Sequence, residues 1–313
     1  MNPGTALNID WIDSIQMNRS AIERRCDTLT RRRSIKKEWQ AAWLLKSISC
    51  MDLTTLSSDD TTERVKRLCA KAKQPLSLEL IDKLGVNKLK PRVAAVCVYH
   101  SYVNTAVNAL KDSGIPVAAV SAGFPHGLNA ISRRIEEIKD SIASGAREID
   151  IVITRANVFN GNWEALYNEI ATFKKACGNV HLKTILGTGE LGTFRNIAKA
   201  SLVCMMGGAD FIKTSTGKEG VNATLPVSLV MIRMIREYFN STGFYVGFKP
   251  AGGISTAKQS LDWLILMKEE LGMNWVQPNL FRFGASGLLN DIERQLEHFV
   301  KGNYSASYRH PVA

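Results

Sequence analysis

Two lysines stand where a lysine is costly. In Asp210-Phe-Ile-Lys-Thr-Ser-Thr-Gly217, Lys213 ends a short apolar run just before a polar, glycine-bearing turn. Lys249 does the same in Val246-Gly-Phe-Lys-Pro-Ala-Gly-Gly-Ile254. An inward-pointing ammonium loses its hydration, and the usual response is a lowered pKa. A lysine that gives up its proton becomes an amine able to attack carbonyl carbon, and a second cation close by favours that state further. One such lysine alone reads as a side chain snorkelling from a strand end. Two matched settings point to Lys213 as a Schiff-base lysine and Lys249 as the group that lowers its pKa.

Carboxylates occupy comparable positions. Asp150 lies between Ile149 and Ile151, Asp52 follows Met51, and Lys183 interrupts a fifth apolar run. A carboxylate in an apolar strand needs a cation or hydrogen-bond donors, so a salt bridge to lysine is the bland reading of each. That pairing is compatible with moving protons, and Asp150 is the expected acid/base. Glycine turns occur at Thr216-Gly-Lys218, Ala251-Gly-Gly-Ile254 and Gly284-Ala-Ser-Gly287. Tight connections need glycine anyway. Three such turns with Lys218 alongside also suit an anion held by backbone N–H groups. The chemistry expected is an amine adding to an aldehyde, loss of water to an imine, and an enamine that makes or breaks a carbon–carbon bond. No metal and no cofactor beyond the covalent imine on Lys213 is expected.

These residues meet only if a fold gathers them. Apolar runs at 48–56, 93–99, 117–125, 148–154, 181–186, around Lys213, around Lys249 and at 280–286 alternate with amphipathic stretches. Asp60 and Glu63 have capping-box spacing at the start of the first stretch. Eight such units predict an α/β fold, a closed (β/α)8 TIM barrel, with its active site at the C-terminal ends of the strands. An open doubly wound sheet would call for a G-x-G-x-x-G turn after the first strand, and none is there. Residues 1–45 read as an N-terminal helical extension on the barrel's outside or bottom, 46–300 as the barrel, and 301–313 as a C-terminal tail.

The 313 residues are 45% hydrophobic, enough for one large core, and no run approaches the roughly 20 apolar residues of a membrane span. Neither a signal layout nor a transit-peptide pattern opens the chain, so a cytoplasmic protein without a membrane partner is expected. Cys26, Cys50, Cys69, Cys97, Cys177 and Cys204 are scattered and read as reduced thiols, Cys97 as a buried strand thiol before a pocket-lining one. The charge of +11 gathers near Arg24, Arg25, Arg31, Arg32, Arg33, Lys36 and Lys37. A solvated helix face explains it, as would attraction of an anionic metabolite. A nucleic-acid-binding protein is the rival from another class, but no RNA-binding aromatic signature or zinc-finger pattern supports it.

The motifs also resemble a known family. Phe211-Ile-Lys-Thr-Ser-Thr-Gly-Lys218 and Gly247-Phe-Lys-Pro-Ala-Gly-Gly-Ile254, with Gly123-Phe-Pro-His-Gly127 and Thr188-Gly-Glu-Leu191, are similar to the signature segments of deoxyribose-phosphate aldolases. Lys36-Lys-Glu-Trp-Gln-Ala-Ala-Trp-Leu-Leu45 resembles the animal branch, and the similarity runs from about Lys46 to Ser307. It implies reversible cleavage of 2-deoxy-D-ribose 5-phosphate to D-glyceraldehyde 3-phosphate and acetaldehyde, in deoxyribose phosphate catabolism. It further implies Lys213, Lys249 and Asp150 as catalytic residues, with Asp52, Thr54, Cys97, Lys183 and Thr216 about the substrate. The 5-phosphate would rest on Gly217, Lys218, Gly252, Gly253, Gly284, Ser286 and Gly287. The expected assembly is a homo-oligomer, a dimer first. Ser255 stands where many members carry arginine, and Gly287 where they carry serine or threonine. The family's C-terminal tyrosine, a proton relay, is matched most nearly by Tyr308, with Tyr304 as the alternative. Another Schiff-base aldolase or a transaldolase on the same barrel is the alternative enzyme.

Overall fold

The computed structural model describes residues 1–32 and 34–310, so Arg33 and the last three residues of the expected tail lie outside the described residues. Eight parallel strands occur among them: β1 (Met51–Thr54), β2 (Ala95–Tyr99), β3 (Val117–Val120), β4 (Glu148–Val152), β5 (His181–Ile185), β6 (Phe211–Lys213), β7 (Gly247–Lys249) and β8 (Phe283–Ala285). Each pairs with its neighbour in chain order, and β1 also pairs with β8. Parallel bridges Phe248 to Phe281 and Ala251 to Gly284 bring β7 against β8 and close the sheet. The expected (β/α)8 barrel is therefore the fold.

Helices α1 (Ile9–Ser14), α2 (Arg19–Arg32) and α3 (Lys37–Ser49) precede the barrel. After β1 come α4 (Thr62–Lys73) and α5 (Leu78–Leu84), after β2 α6 (Val103–Ala109), and after β3 α7 (Ile131–Ala143). Next are α8 (Arg155–Phe159) and α9 (Trp163–Cys177), then α10 (Phe194–Met206), α11 (Leu225–Thr242), α12 (Ala257–Leu271) and α13 (Leu288–Lys301) after the last four strands. Outward strand residues such as Ile149, Ile151, Leu182 and Phe248 are fully buried beneath the helices. Each such side chain contributes about 1.5–3 kcal/mol by leaving water. No helix among the described residues is long and apolar enough to cross a membrane.

Three local expectations change. Helix α3 runs through Ser49, so the first strand starts at Met51 rather than at Ile48. Short helices α5 and α8 add to the one helical stretch expected after each of the first and fourth strands. Thr61, not Asp60, caps α4, its side chain accepting from the Arg64 N–H. Asp60 is buried instead, accepting from Thr55 Oγ1 at 2.7 Å and the Ser57 N–H at 3.0 Å, which organises the β1–α4 loop.

The N-terminal segment is fastened at the end of the barrel opposite the strand C-termini. Buried Asn2 donates its backbone N–H to Asp210, just before β6, and its side-chain amide to the carbonyls of Met205 and Ala209. The basic cluster is partly consumed in packing. Arg25 donates to Glu270 on α12 at 3.0 Å, beside Arg233 and Arg236 on the same carboxylate.

Candidate active site

Side chains two apart on a strand share a face. Asp52 and Thr54, Glu148 and Asp150, and Lys183, Lys213, Lys249 and Arg282 meet through the barrel's centre, as contacts between the distant strands β1 and β5 require. Lys183 Nζ lies 3.2 Å from Asp52 and 3.1 Å from Asp150, and it also holds Glu148. Arg282 binds Asp52 at 2.6 Å and Glu148 at 2.8 Å. Lys249 Nζ reaches Asp52 at 2.5 Å and Asp150 Oδ2 at 2.8 Å, and Lys213 Nζ donates to that same Asp150 oxygen at 2.8 Å. Phe211 floors the network, with Lys183 and Arg282 over its ring. Only glycine fits at 247 beside it, because a Cβ there would meet that ring at 2.3 Å.

All these groups are buried, so a charge that is not balanced is expensive. Burial pushes Asp150 up, but Lys183, Lys213 and Lys249 outweigh it and hold the carboxyl well below its usual range. Burial likewise opposes ionisation of Asp52 and Glu148, and is outweighed by Lys183 together with Lys249 and Arg282 at the first and with Arg282 at the second. On Lys249, burial is overcome by Asp150 and Asp52, and its pKa rises well above 10.5. On Lys213, burial wins: Asp150 opposes it, Lys249 adds to it, and the pKa falls below 10.5. The charge count agrees. With Lys213 neutral, Lys183, Lys249 and Arg282 balance Asp52, Glu148 and Asp150.

Above the network opens a cavity of about 640 Å³, lined by Lys213, Thr54, the β1–α4 loop and the turns after β6, β7 and β8. Thr216, Gly217, Lys218, Gly252, Gly253, Gly284, Ser286 and Gly287 all face it, as does Ser255. Gly217, Gly252 and Gly253 have φ of 85°, 80° and 79°, a backbone that favours glycine, and the Gly217 N–H donates to Glu219 and the Gly252 N–H to the Gly284 carbonyl. Buried Cys97 packs against Ala118, Val120, Leu56, Tyr99 and Phe124, and burial raises its thiol pKa. Tyr308 and Tyr304 are 86% and 56% exposed and are not among the residues lining the cavity. All six cysteines are unpaired and buried, and no cluster of three metal-ligating side chains occurs among the described residues.

Sequence reasoning missed Glu148, Arg282 and the cavity's Arg64. Glu148 precedes Asp150 by two residues and Arg282 interrupts Phe281 and Phe283, so strand alternation carried the signal for both.

The profile of the DeoC/LacD aldolase family matches residues 46–288. A deoxyribose-phosphate aldolase of Mus musculus is 57% identical over 312 residues, covering 99% of this chain and 98% of the relative. One from Homo sapiens is 56% identical over 314 residues, covering 100% and 99%. A crystal structure from Toxoplasma gondii ME49, provisionally assigned as a deoxyribose-phosphate aldolase, superposes with a TM-score of 0.71 at 22% identity, over 86% of this chain and 98% of that one. It supports the barrel, and the closer relatives with the family profile support more: the chain belongs to the DeoC/LacD family of aldolases.

Proposed function

We propose that this aldolase cleaves 2-deoxy-D-ribose 5-phosphate, reversibly, to D-glyceraldehyde 3-phosphate and acetaldehyde through an imine on Lys213. The observation that carries the reading is the shared Asp150 oxygen: Lys213 has that one carboxylate, whereas Lys249 also has Asp52. The proton therefore resides on Lys249 and Lys213 is left a free amine. Lys213 Nζ adds to the substrate's C1 aldehyde, and loss of water gives an iminium. The iminium draws the C2–C3 bonding pair toward nitrogen as the C3 hydroxyl gives up its proton, releasing glyceraldehyde 3-phosphate. The remaining enamine takes a proton at C2 and hydrolyses to acetaldehyde. Asp150, held far below its usual pKa, keeps no proton for long and serves as the relay, through water, with Lys249 as the reservoir.

In this reading the 5-phosphate rests on Gly217, Lys218, Gly252, Gly253, Gly284, Ser286 and Gly287, about the mouth of the cavity. Thr54 and Thr216 line the sugar, and Asp52, Lys183 and Cys97 form the wall beneath. The reaction belongs to deoxyribose phosphate catabolism, and six unpaired cysteines suit the reducing cytoplasm. The test is acetaldehyde with borohydride, then digestion and mass analysis. An ethyl adduct on Lys213, lost in Lys213→Ala, is expected; an intact protein that forms no adduct there would end the proposal.

A further inference from the structure

We infer that Arg64, on the first turn of α4, is a specificity residue for the substrate's phosphate, supplying from the β1 side the cation that Ser255 does not supply from the β7 side. The inference rests on the phosphate placement proposed above. Among the described residues lining the cavity, the basic side chains are Lys213, Lys218 and Arg64, and Lys213 is reserved for the chemistry. Arg64 lines that space together with Gly253, Ser255 and Ser286. Its present partner is Asp59 in the β1–α4 loop, with Nη1 at 2.9 Å from Oδ1 and Nη2 at 3.4 Å from Oδ2. Asp60 Oδ1 is a third contact at 3.4 Å.

That pair can be exchanged. The Asp59 side chain is 70% exposed and Arg64's is 30% exposed, and ion pairs open to water contribute little. A phosphate dianion offers the guanidinium two oxygens of higher charge in a partly enclosed site, the stronger bidentate arrangement. The loop carrying Asp59 stays in place when Arg64 turns, because buried Asp60 holds Thr55 and the Ser57 N–H independently. Ser255 cannot compete for the role: it has no charge, and its N–H is given to Gln259. Asp59 meanwhile occupies the guanidinium in the empty site and lowers phosphate affinity by the cost of displacing it.

The experiment compares kcat and KM for 2-deoxyribose 5-phosphate and for 2-deoxyribose in the wild type, Arg64→Met, Arg64→Lys, Asp59→Asn and Lys218→Met. Arg64→Met is expected to raise KM for the phosphorylated sugar roughly tenfold, with a much smaller change in kcat. The preference for the phosphorylated over the plain sugar falls with it, and Arg64→Lys recovers part. Asp59→Asn is expected to move KM the other way, because it frees the guanidinium. Equal losses on both sugars in Arg64→Met would show that the residue only braces the loop, and overturn the inference. A preference lost in Lys218→Met and kept in Arg64→Met would overturn it too, while leaving the phosphate placement standing. A preference kept in both variants would overturn the placement as well.

Discussion

Lys213 at the end of β6 and Lys249 at the end of β7 are register partners, and both reach the same oxygen of Asp150 at 2.8 Å. They part at the second contact. Lys249 lies 2.5 Å from Asp52, and Lys213 has no second carboxylate among the described residues. Both are buried to the same degree, so desolvation does not distinguish them. Two carboxylates overcome it and one does not, and in the proposed mechanism that difference is what leaves one held proton and one nucleophile. The rest of the interior keeps the asymmetry in place. Arg282 and Lys183 hold Asp52 where only Lys249 can share it.

Removing one side of the comparison should produce the largest effect. Lys249→Leu deletes the neighbouring cation and leaves Asp150's oxygen to Lys213, and both changes raise the Lys213 pKa. Imine formation requires the free amine, so its rate rises with pH through the Lys213 pKa and then levels. If Lys213 returns to an ordinary lysine pKa, the rate near neutrality falls roughly a thousandfold and recovers about tenfold for each pH unit upward. Single-turnover borohydride trapping across pH reads this directly. A loss equal at every pH would mean that Lys249 donates a proton to the substrate and does not tune its neighbour.

Arg282→Met probes the support beneath the comparison and should have the next largest effect. It leaves Asp52 and Glu148 buried with only lysine partners, costing about 3 kcal/mol of stability in urea unfolding, the lower end for breaking a buried pair, since Lys183 still touches both. The interior then carries one negative charge too many, so Lys213 should gain proton affinity and its trapping profile should move to higher pH. The native carboxylates are held below their unfolded values. Their stabilisation is present above about pH 4 and is lost as pH falls from there. A variant as stable as the wild type would show that the network is not coupled as drawn.

The barrel was legible because eight apolar runs alternate with helical stretches, and the candidate site because Lys213, Lys249 and Asp150 break apolar context. Glu148 and Arg282 escaped notice because strand-bottom charges look like ordinary strand boundaries until the strands are placed around one axis. Arg64 was not singled out, being one charge among several on the helical stretch after the first strand. Its approach to the turns after β7 and β8 depends on how the barrel closes, and no local pattern encodes that. Lys183 was placed correctly, but its three carboxylate partners were not, since they come from strands that meet only across the barrel.

The smallest effect is expected at the tail, because the cavity and the point where the tail leaves α13 lie at opposite ends of that helix. That helix begins just after β8, beside the cavity, and its 14 residues carry the chain away from it. A rise of about 1.5 Å per residue makes the distance roughly 20 Å. The tail then folds back on the same helix: His310 Nε2 lies 2.7 Å from Glu297, and Arg309 lies 3.3 Å from it. Tyr308, just before these anchors, is exposed to water. Tyr308→Phe removes one hydroxyl from an exposed ring and should change kcat less than about twofold. A tenfold loss of kcat with the Lys213 adduct still forming would show that the tail leaves Glu297 during turnover and brings Tyr308 to the enamine.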